Sequence, residues 1–431
     1  MHRQRAANLV TLVVLVWGLT LEGTADWPRF RGPNGQGISA DTGVPIVWDL
    51  QRHTLWKVAL PGQGNASPIV SGERVFLQAA SEDGTQRWLL CYDALTGKEL
   101  WRRSAGGRRA AMHRKNTLAS STPAADGQRV VCLFWDGQAL SLHAFDYAGN
   151  KLWEYGLGPF VSQHGAGTSP VLHKGRVYVN CDQDDAARVV AVDAHTGKLL
   201  WEKTRPAFRA CYSTPVVRGG TQGEELIVAS SAGISAYDLL SGQQTWHWEW
   251  KFEGMVLRTV SSPVLAQGLI VMTSGDGGGS RHAVAVKPPD GSGSAPRVVW
   301  QEQRIFPYVP TLIGHGDYLF FVNDRGVAGC VRAADGKPVW TERLGGNVSA
   351  SPVLAGDTVI ACTEEGDVYC FAAAPAFHLR AHNTLREPII ATPAIHAGRL
   401  YIRTRQHLYC LGEPVAAGAP RKADAVRPAR R

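Results

Sequence analysis

The stretch Asp193-Ala-His-Thr-Gly197-Lys-Leu-Leu-Trp201 decides the fold, because the chain repeats it with small changes. Each copy follows a short apolar run, so we interpret it as the turn of a β-hairpin and the start of the next strand. The Asp side chain can accept backbone N–H bonds in the turn, and Gly supplies the positive φ of a short loop. Repetition of this kind predicts an array of similar units. The other copies are Asp93-Ala-Leu-Thr-Gly97-Lys-Glu-Leu-Trp101, Asp146-Tyr-Ala-Gly149-Asn-Lys-Leu-Trp153, Asp238-Leu-Leu-Ser-Gly242-Gln-Gln-Thr-Trp246 and Asp335-Gly336-Lys-Pro-Val-Trp340.

A tryptophan closes each copy and opens the next strand. Its large ring is suited to packing between neighbouring units, so we expect these residues to be structural. The predicted docking tryptophans are Trp56, Trp101, Trp153, Trp201, Trp246, Trp300 and Trp340.

A second marker, Ser or Thr followed by Pro, starts a strand-like run in each unit. Pro310-Thr311 takes the same place with the order reversed. The spacing predicts four-stranded antiparallel units of about 45 residues, the size of a propeller blade. The markers are Ser67-Pro68, Thr122-Pro123, Ser169-Pro170, Thr214-Pro215, Ser262-Pro263, Ser351-Pro352 and Thr392-Pro393.

Eight starts predict an all-β protein with eight blades, but the last unit ends at Leu411 before a fourth strand. The segment around Trp56 resembles a fourth strand with no unit before it. Pairing it with residues 408–411 would complete the last blade and remove two free sheet edges. The prediction is therefore an eight-bladed β-propeller of four-stranded antiparallel blades, with the ring closed by the N-terminal strand.

Four regions are expected along the chain: a signal peptide at 1–25, an extended arm at 26–46, the propeller at 47–412 and a disordered basic tail at 413–431. Arg3 and Arg5 precede a short apolar run, and Gly23-Thr24-Ala25 offers a cleavage site. The run is too short to span a membrane. Because no cysteine lies near the cleavage point, we expect no lipid anchor. The mature protein is expected to be periplasmic or secreted, and to be a monomer.

The net charge of +8 lies largely outside the predicted propeller. Residues 414–431 contribute +4, from five cationic residues against Asp424, and the signal contributes +1, from two arginines against Glu22. The remaining net charge of +3 on the rest of the chain is too small to indicate nucleic-acid binding, so no nucleic-acid partner is expected.

Four of the eight cysteines, Cys91, Cys330, Cys370 and Cys410, fall at the same strand position of different repeats. Neighbouring sheets pack about 10 Å apart, too far for a disulfide between equivalent positions. We therefore expect buried, unpaired thiols, and the sequence has no CxxC spacing of a metal site. The run Asp182-Gln-Asp184-Asp185 could hold calcium, but a solvated acidic loop is the favoured interpretation.

The innermost strands of a propeller begin at one end of the central channel, so the residues before each Ser/Thr marker should meet there. The equivalent positions of Arg209 and Arg258 suggest that both face this opening. The connection between the first two blades adds Arg108, Arg109, His113, Arg114 and Lys115. A water-filled channel and a site for a small or peptide-like anionic ligand both remain open. The candidate mouth residues are Asn65, Asn116, His164, Arg209, Arg258, Tyr308, Asn347 and Glu387.

The pattern Asp-x-x-Thr-Gly-Lys-x-x-Trp resembles the repeats of pyrroloquinoline-quinone (PQQ)-type β-propellers, over roughly residues 45–412. That resemblance implies a propeller fold. Its functions include PQQ-dependent alcohol dehydrogenases and the cofactor-free propeller subunit of the bacterial outer-membrane protein assembly machine. The opening Trp-Pro-Arg-Phe-Arg-Gly-Pro-Asn-Gly, at residues 27–35, is similar to exported bacterial PQQ-binding-like proteins.

A dehydrogenase of this family would be expected to have a vicinal Cys-Cys pair, an Asp base and a calcium ion, and this sequence contains no Cys-Cys. We therefore expect no catalytic residues, no metal and no cofactor. The favoured hypothesis is a binding or scaffold module for a protein partner or a small anionic ligand. The alternatives are a periplasmic oxidoreductase with PQQ and calcium, and a carbohydrate- or polyanion-binding propeller.

Overall fold

The computed structural model describes residues 26–184, 186–206, 208–220, 223–291, 293–303 and 305–414. Across these ranges the chain forms β-strands and turns without an α-helix. The predicted signal peptide and all but the first two residues of the predicted tail lie outside the described residues.

The strands form eight sheets, each with four antiparallel strands that follow one another along the chain except in the last blade, and one sheet has an additional parallel strand. Two strands precede the first sheet, β1 Ile38–Ser39 and β2 Thr54–Ala59. Blade 1 is β3 Ile69–Ser71, β4 Arg74–Ala80, β5 Gln86–Asp93 and β6 Glu99–Gly106; blade 2 is β7 Ala124–Ala125, β8 Arg129–Trp135, β9 Ala139–Asp146 and β10 Lys151–Pro159; blade 3 is β11 Val171–His173, β12 Arg176–Gln183, β13 Ala186–Asp193 and β14 Leu199–Arg205; blade 4 is β15 Val216–Gly220, β16 Gly223–Ser230, β17 Gly233–Asp238 and β18 Gln244–Glu249.

The second half of the ring repeats this arrangement, and β1 adds in parallel to the inner strand of blade 7. Blade 5 is β19 Val264–Ala266, β20 Leu269–Gly275, β21 Arg281–Lys287 and β22 Arg297–Gln303; blade 6 is β23 Ile313–His315, β24 Tyr318–Val322, β25 Val327–Arg332 and β26 Pro338–Arg343; blade 7 is β27 Val353–Ala355, β28 Thr358–Cys362, β29 Asp367–Ala372 and β30 Leu379–Thr384; blade 8 is β31 Ala394–His396, β32 Arg399–Arg403, β33 His407–Leu411 and β2.

Blade 8 is completed by the N-terminal strand, as the sequence predicts. In the β2–β33 pair, Trp56 lies opposite Cys410 and Val58 opposite Leu408. The free edge of β33 is therefore covered, and the two ends of the propeller are joined by backbone hydrogen bonds. Both the eight-bladed architecture and its closure are confirmed.

The repeated turn folds as its residue types require. In the copy at residues 193–201, the Asp193 carboxylate accepts the backbone N–H groups of His195 and Thr196, at 3.0 and 2.7 Å. Gly197 has φ +70°, and a Cβ there would lie 2.7 Å from the Trp153 ring of the preceding blade. Glycine is needed both for the turn and for the close approach of that ring.

Most of the predicted docking tryptophans lie between blades and bond to the next one. The Trp153 indole N–H donates to the Ala194 carbonyl at 2.9 Å, so the ring covers the turn of blade 3. Trp246 differs, because its N–H reaches Glu225 of its own blade at 3.4 Å. The other inter-blade donors are Trp56 to Ala94, Trp101 to Tyr147, Trp201 to Leu239, Trp300 to Ala333 and Trp340 to Ala374.

The Ser/Thr markers join neighbouring blades around the channel. The Ser67 N–H donates to the Thr122 hydroxyl at 3.0 Å, and the ring ends with the Thr392 N–H donating to the Ser67 hydroxyl at 3.1 Å. Seven of the eight junctions have this bond. Thr311 occupies the hydroxyl position of blade 6, which explains the reversed Pro310-Thr311 marker.

All eight cysteines are buried and unpaired, which confirms their predicted role as small core residues. Burial raises the pKa of the Cys91 thiol to about 12, so it remains protonated at neutral pH.

Candidate functional site

The central channel contains a cavity of about 680 Å³. Its wall is built from the marker hydroxyls, and all of those lining the cavity except Thr214 accept a backbone N–H bond from the neighbouring blade. A hydroxyl has one proton to donate as well, and no acceptor for it is present among the described residues. The wall therefore offers hydrogen-bond donors to the channel. The marker residues lining the cavity are Ser67, Thr122, Ser169, Thr214, Thr311, Ser351 and Thr392.

The N-terminal arm closes the end of the channel opposite the start of the inner strands. Phe30 of the arm lines the cavity and forms its floor. The contacts of the arm lie beyond the marker along each inner strand, which places them at the far end. They include Trp27 with Val70 of blade 1, Pro28 with Ala125 of blade 2, Gln36 with Leu265 of blade 5 and Gly37 with Leu354 of blade 7.

Arg31 fixes the arm in place from a fully buried position. Its guanidinium donates to the Gln36 carbonyl at 2.6 Å and to the Leu312 carbonyl of blade 6 at 2.7 Å. Longer bonds reach the carbonyls of Thr311 and Pro352, at 3.4 and 3.3 Å. Burial lowers the pKa of Arg31 to about 9, so it still carries its charge at neutral pH. The cavity is therefore a cup with a firmly bonded floor and one open end, the mouth.

Five of the predicted mouth residues, Asn65, Asn116, His164, Tyr308 and Asn347, line this cavity. Three others, Arg209, Arg258 and Glu387, are not among its lining residues. The first group comes from five different blade-to-blade connections, so the structure brings together positions far apart in sequence.

Arg258 and Arg209 are engaged away from the opening. Arg258 is 3% exposed, lies 3.5 Å from the Asp184 carboxylate and donates to the Gln163 side chain at 3.2 Å. Arg209 donates to the Val256 carbonyl at 2.9 Å. Both guanidiniums hold blade connections together, and equivalent sequence positions do not give them equivalent directions.

Glu387 lies at the seam where the N-terminal strand meets blade 8. Its partners are Lys57 at 2.9 Å, Thr404 at 2.6 Å, His407 at 2.8 Å and Tyr409 at 2.7 Å. Partial burial would raise the pKa of this carboxyl, but the bonds from Thr404, Lys57, Tyr409 and His407 lower it to about 2. Glu387 is an element of ring closure.

His164 stacks on His113 of the blade 1–2 connection, with ring centroids 5.2 Å apart. Burial lowers the pKa of His164, and the nearby charges of Arg258, His113 and Arg209 lower it further. The His164 ring is therefore neutral at pH 7 and serves as a surface for the connection rather than as a cation.

Carboxylates at the mouth are already bound, whereas two guanidiniums are not. Asp324 accepts the N–H groups of Tyr308 and Val309, at 2.7 and 3.0 Å, and lies 3.4 Å from Arg281. Among the described residues, the side chains of Arg114 and Arg325 have no acidic partner and no hydrogen-bond acceptor, and both line the cavity. The mouth therefore has unbalanced positive charge.

Sequence reasoning missed Asp276, Arg281, Asp324 and Arg325, which also line the cavity. They come from hairpins within blades 5 and 6 rather than from connections between blades. The second-to-third-strand turns lie at the same end as the blade connections, so including those turns would have found them.

The acidic run beside blade 3 is not a solvated loop, contrary to expectation. Asp182 is 2% exposed and lies 3.0 Å from the equally buried Arg205. The Asp184 carboxylate accepts the Ala210 N–H at 2.9 Å and contacts Arg258. Both carboxylates stabilise inter-strand contacts, and Asp185 lies outside the described residues.

A family profile described as "Outer membrane protein assembly factor BamB" matches residues 15–146 and 138–374. The chain belongs to this family. The family assignment agrees with the predicted resemblance to PQQ-type propeller repeats.

Solved structures with the same fold have different functions. The chain is similar to BamB from Moraxella catarrhalis, at 14% identity and a TM-score of 0.60, over 83% of this chain and 97% of that one. It is also similar to quinohemoprotein alcohol dehydrogenase from Comamonas testosteroni, at 12% identity and a TM-score of 0.62, over 94% and 83% of the two chains. At these identities the likeness shows the fold alone.

One curated relative is an enzyme. A polyvinylalcohol dehydrogenase from a Pseudomonas species is 27% identical over 165 residues, which is 34% of this chain. The matched stretch spans only 24% of the length of that enzyme. Separately, the described part of the chain has no helix long and apolar enough to cross a membrane.

The carboxylates that line the cavity do not fit the calcium ion that a PQQ enzyme would need. Calcium takes six to eight oxygen ligands, several of them free carboxylate oxygens. Asp324 is committed to two N–H groups beside the Arg281 guanidinium, and Asp276 accepts the Ser280 N–H at 2.9 Å. Across the described ranges, no three His, Cys, Asp or Glu side chains are placed to hold a metal together.

Proposed function

We propose that this protein is a non-catalytic binding module that receives an anionic group in the mouth of its blind channel. The observation that carries the proposal is the charge state of the mouth. Arg114 and Arg325 face the cavity without acidic partners, while Asp276 and Asp324 are occupied by internal donors. An arginine fork engages carboxylate or phosphate through two parallel bonds, so an anion would complete this site.

The wall below the mouth supports the same ligand chemistry. Every marker hydroxyl lining the cavity except that of Thr214 accepts an N–H bond, which polarises its own O–H and makes it a better donor. A ligand entering the cup would meet cations first and neutral donors below. The anion could belong to a small molecule or to a side chain or terminus of a protein partner, since the mouth is open to both.

An exported location is part of the proposal. The predicted signal peptide supports it, and family membership in an outer-membrane assembly factor family agrees with it. A monomer without a nucleic-acid partner is the expected form.

PQQ-dependent oxidation is the alternative function. The dehydrogenase relative and the quinohemoprotein fold favour it. Because the cavity carboxylates do not fit calcium, we assign no oxidative step to this chain. PQQ is itself a polycarboxylate, and it belongs among the anions to be tested.

Thermal-shift and calorimetric titrations test the proposal. Citrate, inorganic phosphate and PQQ are compared with neutral glucose, since a ligand that binds the folded state raises the melting temperature. We expect the anions to bind and glucose to leave the protein unchanged. Binding should weaken as salt rises, because exposed charges are screened over about 8 Å at physiological ionic strength.

The deciding variant is the double substitution Arg114→Ala, Arg325→Ala. It should lower citrate affinity at least tenfold. The matched control is Arg102→Ala, Arg332→Ala, two arginines paired with Glu99 and Asp335 outside the cavity lining. Unchanged affinity in the Arg114, Arg325 variant, or binding of glucose alone, would reject the anion site. PQQ- and calcium-dependent oxidation of alcohols would favour the alternative.

A further inference from the structure

We propose that the connection between blades 1 and 2 is a gate over the cup, held shut by an internal anion that the ligand displaces. We call residues 107–117 the strap and the Lys115–Glu364 ion pair the latch. The displacement step rests on the anion-binding function proposed above.

The strap reaches across the mouth of the channel. It belongs to the longest connection between blades, which runs from residue 107 to residue 123. On one side, His113 stacks on His164 at the entry to blade 3. On the other side, the Lys115 ammonium lies 2.7 Å from the Glu364 carboxylate of blade 7. Blades 3 and 7 stand opposite each other in an eight-membered ring, so the strap crosses the channel axis.

The base of the strap is firmly attached. The Gly107 N–H donates to the Thr85 carbonyl and the Arg108 N–H to the Asp136 carbonyl, at 2.9 and 2.8 Å. A Cβ at Gly107 would lie 2.7 Å from the buried Arg87 guanidinium, which donates to the Arg108 carbonyl. Movement of the strap is therefore confined to its distal part.

Near its far end, the strap is tied to blades 1 and 3 by short bonds. The Asn65 amide donates to the Lys115 carbonyl at 2.7 Å, and the Asn116 amide donates to the His164 carbonyl at 2.7 Å. Among the described residues, the latch is the single hydrogen bond or ion pair between the strap and blade 7. The gap between the strap and blade 7 is thus closed by this one ion pair.

The latch is open to solvent on its lysine side, which weakens it. The Lys115 side chain is 43% exposed and that of Glu364 is 16% exposed. Exposed ion pairs contribute little to stability because water and salt compete for both charges. A ligand with a carboxylate or phosphate group could replace Glu364 as the partner of Lys115 at small cost.

Glu364 occupies the position expected of an internal competitor. It accepts a hydrogen bond from Ser349, which lines the channel cavity, at 2.5 Å. Glu364 itself lines a second cavity of about 840 Å³, which the strap separates from the channel. Lys115 and Arg114 line both cavities. The carboxylate is therefore placed beside the cations that the proposed ligand would use.

Limited proteolysis of the ligand-free protein tests the gate without reference to any ligand. The strap contains four trypsin sites, Arg108, Arg109, Arg114 and Lys115. In Glu364→Gln, which keeps the side-chain shape and removes the charge, cleavage in the strap should become several-fold faster. The matched control is Glu224→Gln, which removes an exposed partner of Lys174 elsewhere, and its strap should be cleaved at the parent rate.

Citrate titration tests the displacement. Removing the competitor should raise citrate affinity roughly three- to tenfold in Glu364→Gln, because the closed state no longer reduces the apparent affinity. Lys115→Gln should lower the affinity instead, although it also frees the strap. If the latch only restricted access, both variants would bind citrate more tightly. A lower affinity in Lys115→Gln alone would show that Lys115 contacts the ligand.

The failures of the two proposals are distinguishable. If the parent binds citrate but Glu364→Gln changes neither strap cleavage nor affinity, the gate is wrong and the binding module stands. If strap cleavage responds but no anion binds either protein, the proposed function and the displacement are both overturned. Cleavage mapped by mass spectrometry outside the strap would show that global unfolding, not the latch, was measured, and would also overturn the gate.

Discussion

The two ends of the channel differ in how they are closed. At the floor, Arg31 is fully buried and bonded to carbonyls of three segments, and Trp27 and Gly37 of the arm pair with inner strands. At the mouth, the strap crosses to blade 7 through one partly exposed ion pair. The same wall of marker hydroxyls connects both ends. The floor is thus closed by buried contacts that are part of the folded structure, whereas the contact across the mouth can break and re-form.

The difference is a matter of solvent access. A buried cation without its acceptors would be costly, so the floor contacts must be kept in every folded molecule. An exposed pair can exchange its partner for water, salt or a ligand with little change in free energy. The contrast locates binding and motion at the mouth and stability at the floor and seam.

The largest expected effect is at the floor. Arg31→Ala leaves the Gln36 and Leu312 carbonyls without their short bonds and opens a void in the buried space of the guanidinium. We expect the free energy of unfolding to fall by about 3–5 kcal/mol, from lost hydrogen bonds and cavity formation together. Urea denaturation of the parent and the variant measures the difference.

The control is Arg102→Ala, whose partly exposed guanidinium pairs with Glu99 and lies over the Trp88 ring at the protein surface. Its stability should remain close to that of the parent. A loss below about 1 kcal/mol in Arg31→Ala, the usual range of surface substitutions and exposed pairs, would erase the distinction between floor and mouth.

The fold could be predicted because its signals are local and repeated. Gly197 and Trp201 have fixed places in one turn. The strand at Trp56 lacked a blade and the last blade lacked a strand after Leu411, so the two could be matched from the sequence. The markers were visible too, but their bonding was not, because the Thr392–Ser67 contact exists only after the ring is closed.

The site was only partly predictable, since side-chain direction depends on neighbours distant in sequence. Asn65 and His164 follow their backbone to the mouth, whereas the long side chain of Arg258 turns away to Asp184. The role of the arm was also hidden. Nothing local in Arg31 indicates that its acceptors lie in blades 6 and 7.

An intermediate effect is expected at the seam, where Glu387 is partly buried. Its folded pKa of about 2 lies below the ordinary glutamate value of 4.5, so its contribution to stability is present above pH 4.5 and is lost as the pH falls toward 2. Glu387→Gln should cost about 1–3 kcal/mol at pH 7. It should also flatten the loss of stability between pH 5 and pH 2, which chemical denaturation across that range would measure.

Gln retains the shape and part of the hydrogen bonding of Glu387, so the pH dependence is more informative than the loss itself. Glu224→Gln, at an exposed pair, serves as the reference. An unchanged acid profile in Glu387→Gln would mean that another group governs closure of blade 8.

The smallest effect is expected at the mouth, from Glu364→Gln. Exposed ion pairs contribute about 0–1 kcal/mol, because two long side chains lose freedom and gain only a screened attraction. Gln can still accept the Ser349 hydroxyl, so no buried donor is left without a partner. The urea midpoint should therefore stay near that of the parent, and any residual difference should disappear as the salt concentration rises. A salt-independent loss above about 2 kcal/mol, beyond the usual range of such pairs, would show that the strap is bonded as firmly as the floor. The same near-equality of stability allows the faster strap cleavage of Glu364→Gln to be attributed to the latch, because a variant that unfolds no more often than the parent can expose its trypsin sites only through local opening.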